Sequence, residues 1–204
     1  MTDTDTTPGR RPPSAVLNQQ SPVDAAWTRR VEPRRQQLLD RFDDASRRVI
    51  AADEECDDLD AAAGQELAEL DAKIPDVGEE PTEVEWLTRR AAQADQQVSY
   101  ARHDVALREA TVRREHSRRE AVEVQARIGQ IDDLLEGGGY AAGAEAQMAI
   151  LMLDVQQSGL DLAHEVASLD FARQRLALAE HVQRDVHAAL RAAQRSESRA
   201  QKPR

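Results

Sequence analysis

LLDRFDDASRRVIAADEECDDLDAAA, residues 38–63, decides the fold. Within it a small or apolar side chain returns at Leu38, Phe42, Ala45, Val49, Ala52, Cys56, Leu59 and Ala63, so steps of four and three alternate without a miss. A repeat of about 3.5 residues keeps one stripe turned towards a neighbouring α-helix as the two supercoil. A half-buried β-strand would instead alternate with period two. The stretch therefore reads as a long helix with a single closed seam.

The stripe continues to Leu67, Leu70 and Ile74 after one step of four where three was due, a stutter that unwinds a supercoil locally. Pro33 suits a first helical turn, so helix A is expected over 33–74. Pro22 and Pro33 bracket a short helix at 23–32, around Trp27. Residues 1–22, rich in Thr, Pro, Asp and Gln without apolar periodicity, are expected to form a disordered arm.

Two prolines and a glycine in Pro75-Asp-Val-Gly-Glu-Glu-Pro81 read as a tight turn. Thr82-Glu83-Val84-Glu85 is a capping box, in which threonine and glutamate each satisfy an orphan amide of the other. It opens helix B, expected over 82–136 with a stripe through Val84, Leu87, Ala91, Ala94, Val98, Ala101 and Val105. The pattern fails in Arg113-Arg-Glu-His-Ser-Arg-Arg-Glu120 and returns in a shifted phase at Val124, Ile128, Ile131 and Leu135. Gly137 to Gly139 should end the helix.

Helix C, expected over 144–195, carries two stripes. Met148, Met152, Val155, Gly159, Leu162, Val166, Leu169 and Leu176 form one, continued by Val186 and Leu190; Leu153, Leu160, Ala167, Phe171 and Leu178 form the other. A helix apolar on two faces is buried on two sides, either against both A and B or in the bundle and against a second copy. Residues 196–204 form a short polar, basic tail. The expected fold is all-α: an elongated antiparallel three-helix coiled-coil bundle, since short connections make long helices antiparallel neighbours. An open hairpin that closes only on oligomerising is the alternative.

Composition agrees with a rod. Aromatic residues are 3% and charged residues 32%, with Ala, Glu, Arg, Gln and Leu abundant. All basic residues but Lys73 and Lys202 are arginines. The net charge of −11 disfavours nonspecific binding to nucleic acid or an anionic membrane. The longest apolar run, Met148 to Leu153, falls far short of the roughly 20 residues that span a bilayer. The N-terminus lacks the features of a signal peptide, and one cysteine excludes an intramolecular disulfide. A cytoplasmic location is the expectation. Cys56, on the stripe, reads as a small buried hydrophobe.

Nine acidic residues and no basic one lie between Asp53 and Asp71. Folding A on B about residue 78, and B on C about 139, places Arg102, Arg173, Arg175 and Arg184 near this run, as charges that set register. The other reading makes Asp53, Glu54, Glu55, Asp57, Asp58 and Asp60 a docking patch for a basic partner. The same folding sets the arginines of 113–119 opposite Asp40, Asp43 and Asp44. With acidic residues interleaved and no aromatic platform, that stretch does not read as a nucleic-acid site.

Chemistry-bearing constellations are sparse. His116, Asp161 and His164 fall at one level of the B–C hairpin and are a weak candidate metal site, because facing bundle helices can supply such ligands. Gly137 to Gly139 follow a helix and lack the lysine of a phosphate loop. No catalytic triad, zinc pair or cofactor motif emerges, so no catalytic residue and no cofactor are expected. Tyr100-Ala-Arg-His-Asp104 resembles the Tyr-x-x-x-Asp/Glu signal of small helical substrates of type VII secretion systems. The Trp-x-Gly turn of that family is missing, and five residues assign no membership.

The function expected is therefore a non-enzymatic structural or adaptor protein that contacts protein partners and self-associates. Its contact candidates are the acidic run, the second stripe (Leu153, Leu160, Phe171, Leu178) and the basic end with Arg195 and Arg199. Two alternatives remain: an assembly scaffold, for example of a viral shell, docking through that basic tail, and a metal-binding helical bundle.

Overall fold

The computed structural model describes residues 22–135 and 144–200. Three helices, α1 (Pro22–Asp71), α2 (Glu83–Leu135) and α3 (Ala144–Ala200), make up nearly all of them, and no strand occurs among the described residues. At 1.5 Å per residue each is about 75 to 85 Å long. The molecule is an antiparallel three-helix bundle. Arg35 near the start of α1 meets Asp132 near the end of α2, while Asp71 at the end of α1 meets Gln96. Likewise Gly129 abuts Leu151, and Asp95 meets His187.

The order of packing is linear. α1 packs on α2 and α2 on α3, but no Cα of α1 comes within 8 Å of one in α3 among the described residues. The doubly striped α3 thus does not pack against both other helices. The helix buried on two sides is α2.

Along α1 the expected stripe is the observed seam. Leu38, Ala45 and Ala52 are buried, and Phe42, Val49, Cys56, Leu59, Ala63, Leu67, Leu70 and Ile74 are half-buried. Two boundaries differ. No break separates 23–32 from the helix expected at 33, because α1 runs from Pro22 straight through Pro33. Proline there forgoes one backbone hydrogen bond, and the helix on either side holds. At the other end α1 stops at Asp71, and the amides of Lys73 and Ile74 bond to the carbonyls of Leu70 and Asp71 as the chain unwinds. The disordered arm expected over 1–22 lies outside the described residues except for Pro22, which is helical.

α2 opens on the expected capping box. The Glu85 amide donates to Thr82 Oγ1 at 3.3 Å, and the Thr82 amide and hydroxyl each donate to Glu85 Oε2 at 2.9 Å. These bonds hold the Glu85 carboxyl below its usual pKa, the backbone amide contributing most. The phase shift along α2 has a simple cause: two seams interleave. Ala91, Ala94, Val98, Ala101, Val105, Val112, Glu115, Arg119, Val122, Ala126 and Gly129 form the row towards α3. Tyr100, His103, Leu107, Ala110, Arg114, Ser117, Ala121, Val124, Ile128 and Ile131 form the row towards α1. The apolar residues favour the first row early in the helix and the second row late. Five of the ten buried residues of this middle helix are alanine, whose small side chain lets a neighbour approach on either side.

α3 carries a seam at unbroken heptad spacing. Met148, Leu151, Val155, Ser158, Leu162, Glu165, Leu169, Ala172, Leu176, Ala179, Gln183, Val186, Leu190 and Ala193 are all buried or half-buried. A Cβ added to Gly129 of α2 would lie 3.3 Å from Leu151 Cδ1, a measure of how close the helices run. Met152 and Val166, expected in the seam, are 47% and 43% exposed, because the true seam uses Leu151 and Glu165 beside them. The helix also passes the expected end at 195 and runs to Ala200, since nothing before Pro203 interrupts it. The tail expected over 196–204 is therefore helical as far as it is described. Gly137 to Gly139 lie outside the described residues.

Candidate partner interface

Two residues along a helix turn it by about 200°, so a row displaced by two from the α3 seam points away from α2. That row contains the second stripe. Ile150, Leu153, Leu160, Phe171 and Leu178 are each 58 to 66% exposed, and Gln157, His164, Ala167 and Gln174 between them are exposed too. Scattered exposed leucines are ordinary; here five large apolar side chains share one face, with Gln157, His164 and Gln174 interspersed among them. At one end Leu178 joins Val182, Tyr100 and Leu67 around an open trough of about 570 Å3, where α1 and α3 diverge over α2.

The acidic run is divided. Asp53 pairs with Arg114 at 3.3 Å and Glu55 with Arg113 at 2.7 Å. Glu54, Asp57, Asp58 and Asp60 are exposed and make no hydrogen bond or ion pair with the described residues. The arginines expected beside the run are elsewhere. Arg102 pairs with Glu180, Arg173 with Glu109 and Arg175 with Asp104. Two causes act: α1 folds on α2 about a point near residue 83, not 78, which moves Arg102 off the run, and α1 does not pack against α3, so Arg173 and Arg175 bond to α2 although they lie near the level of the run.

The same offset re-pairs 113–120. Glu120 accepts hydrogen bonds from Arg41 at 3.1 Å and Arg48 at 2.8 Å, and these two guanidinium bonds hold its carboxyl below the usual range. Asp40, Asp43 and Asp44 do not face the arginines. Arg119 pairs with Glu123. Glu115 is buried in the row facing α3; its Oε1 accepts from Arg114 at 2.9 Å, while its Oε2 has no hydrogen bond and lies 3.8 Å from Arg118.

The metal candidate is not assembled. His116 and His164 are exposed, Asp161 accepts from Gln157 at 2.7 Å, and no three metal-ligating side chains converge among the described residues. Asp104 is bound by Arg108 at 2.9 Å and by Arg175 at 3.6 Å, so it serves the α2–α3 contact. Arg191, Arg195 and Arg199 lie four apart on one exposed row at the end of α3, where cations complement the helix dipole. No helix among the described residues is long and apolar enough to cross a membrane.

No protein family, curated protein or solved structure matches the chain.

Proposed function

We propose that this chain is a non-enzymatic coiled-coil rod whose work is protein–protein contact, self-association included, in the cytoplasm. One observation supports the reading: the row of exposed large apolar side chains on the outer side of α3, whose Leu178 end borders the trough over α2. A row of large side chains kept in water lowers solubility without serving the monomer, so it fits a surface that another protein covers. The ladder of ion pairs between neighbouring helices accounts for many of the charges as register devices, and this face takes no part in it.

Light scattering with chemical crosslinking at tens of micromolar tests it. A dimer or larger species is the expected result, and a strict monomer overturns the self-association. A second reading, docking to an acidic surface, is favoured by the arginine row of Arg191, Arg195 and Arg199. Deleting residues 195–204 should then abolish docking while leaving helicity intact.

A further inference from the structure

The outer face of α3 is self-complementary about a point between Glu165 and Val166. Turning a second copy of the helix end for end about that point brings Leu153 against Leu178 and Leu160 against Phe171, each residue of these pairs more than 60% exposed. Gln157 meets Gln174, so the two polar amides share a layer and hydrogen-bond each other. His164 meets Ala167, and a large side chain lies over a small one.

We propose that the partner of this face is a second copy of the chain, with α3 packed antiparallel on α3 about this two-fold axis. The inference rests on the reading that the face is a contact surface, and adds the occupant and its direction. At the two ends of the seam Ile150 meets His181. Shifting the antiparallel register by one heptad places the charged Asp185 on Leu153 in one direction and His164 on Leu160 near the centre in the other, whereas the proposed register keeps its large apolar–polar contact at the ends, where water reaches it.

A parallel pair sets every residue against itself. Phe171 would then crowd its copy while the neighbouring Ala167 layer stayed underfilled, whereas the antiparallel pair evens the layers. Parallel packing also aligns the helix dipoles, which the antiparallel arrangement opposes. Along the flank the antiparallel pair brings Asp154 towards Arg175 of the other copy, and both are exposed. The seam from Ile150 to His181 is about 47 Å long.

The experiment uses the full chain with Cys56→Ser and three variants: Leu153→Cys, Leu178→Cys and the double variant, each treated with a short bismaleimide. Circular dichroism and thermal melts check that all fold, and both replaced side chains are more than 60% exposed. The expected result is a covalent dimer of the double variant alone, because in the antiparallel pair like cysteines are about 38 Å apart. Self-crosslinking of each single variant would establish a parallel pair and overturn the proposal, leaving self-association intact. No crosslink with a dimer by light scattering would place the contact elsewhere and also overturn it. No crosslink with a monomer would overturn both readings. Phe171→Glu should shift the mass from dimer to monomer at unchanged helicity.

Discussion

Asp71, the last residue of α1, accepts a hydrogen bond from Gln96, which lies more than three turns inside α2. The start of α2 therefore overhangs the end of α1 by about 20 Å, and the connecting residues 72–82 climb back along it. Ile74, Pro75, Val77 and Pro81 are half-buried on the way. Extended chain covers at most about 3.5 Å per residue, so the eleven residues reach about 38 Å where the overhang and a helix-to-helix crossing of about 10 Å need about 22 Å, and the loss of five of them would use up that margin. Deleting Asp76 to Glu80 should force α1 out of register and lower Tm by several degrees. An unchanged melt would show that the strap does not set the register.

Glu115 gives an unusual expectation. Its carboxylate is buried with one oxygen lacking a hydrogen bond, and Arg114 keeps Asp53 as a second partner. Removing one member of a buried ion pair is costly where it strands the other charge, but Arg114 is one-third exposed and stays paired with Asp53, so the loss of the incompletely bonded Glu115 carboxylate strands no buried charge. Glu115→Leu should match or exceed the parent in chemical denaturation. A loss of more than about 2 kcal/mol would show that the carboxylate is needed.

Glu120 predicts a pH dependence. Arg41 and Arg48 hold its folded pKa below the unfolded value, so the folded state binds fewer protons. Its contribution is complete above the ordinary carboxylate pKa and is lost as pH falls through the folded value. Glu120→Gln should therefore lower Tm at neutral pH, and the difference from the parent should shrink as pH falls through the carboxylate range. A difference independent of pH would assign the effect to packing.

Gly64 sits inside α1, exposed, and a Cβ there would meet nothing within 4 Å. Glycine costs a helix interior roughly 0.8–1 kcal/mol relative to alanine. Gly64→Ala should raise stability by about that amount with no change in oligomeric mass. A neutral or negative result would mean that the unwinding expected from the stutter beside it demands glycine.

The helices and the α1 seam were legible because α1 has one neighbour: eight positions from Leu38 to Ala63 write a single period, and all are buried or half-buried. The capping box was legible for the same reason, being local. α2 was harder. Val105 belongs to the row facing α3 and Val124 to the row facing α1, so a single stripe traced through them changes phase between Arg113 and Glu120. Testing the helix for two interleaved heptads would have found both. The second stripe of α3 was visible, but its fate depended on whether α1 reached it, and a helix that touches α2 alone leaves the stripe outside. Ion-pair partners between α1 and α2 were missed because each depends on the fold-back point, where an error of five residues moves a partner by about ten, and those expected between α1 and α3 were missed because the two helices do not pack together.

The linear order of packing has a mechanical outcome. Each outer helix is fastened to the central one alone, so peeling α1 removes nothing from the remaining hairpin, and peeling α3 removes nothing from the other. The molecule can open leaf by leaf from either side, and the amides of the spine between the leaves should be the last to exchange with solvent.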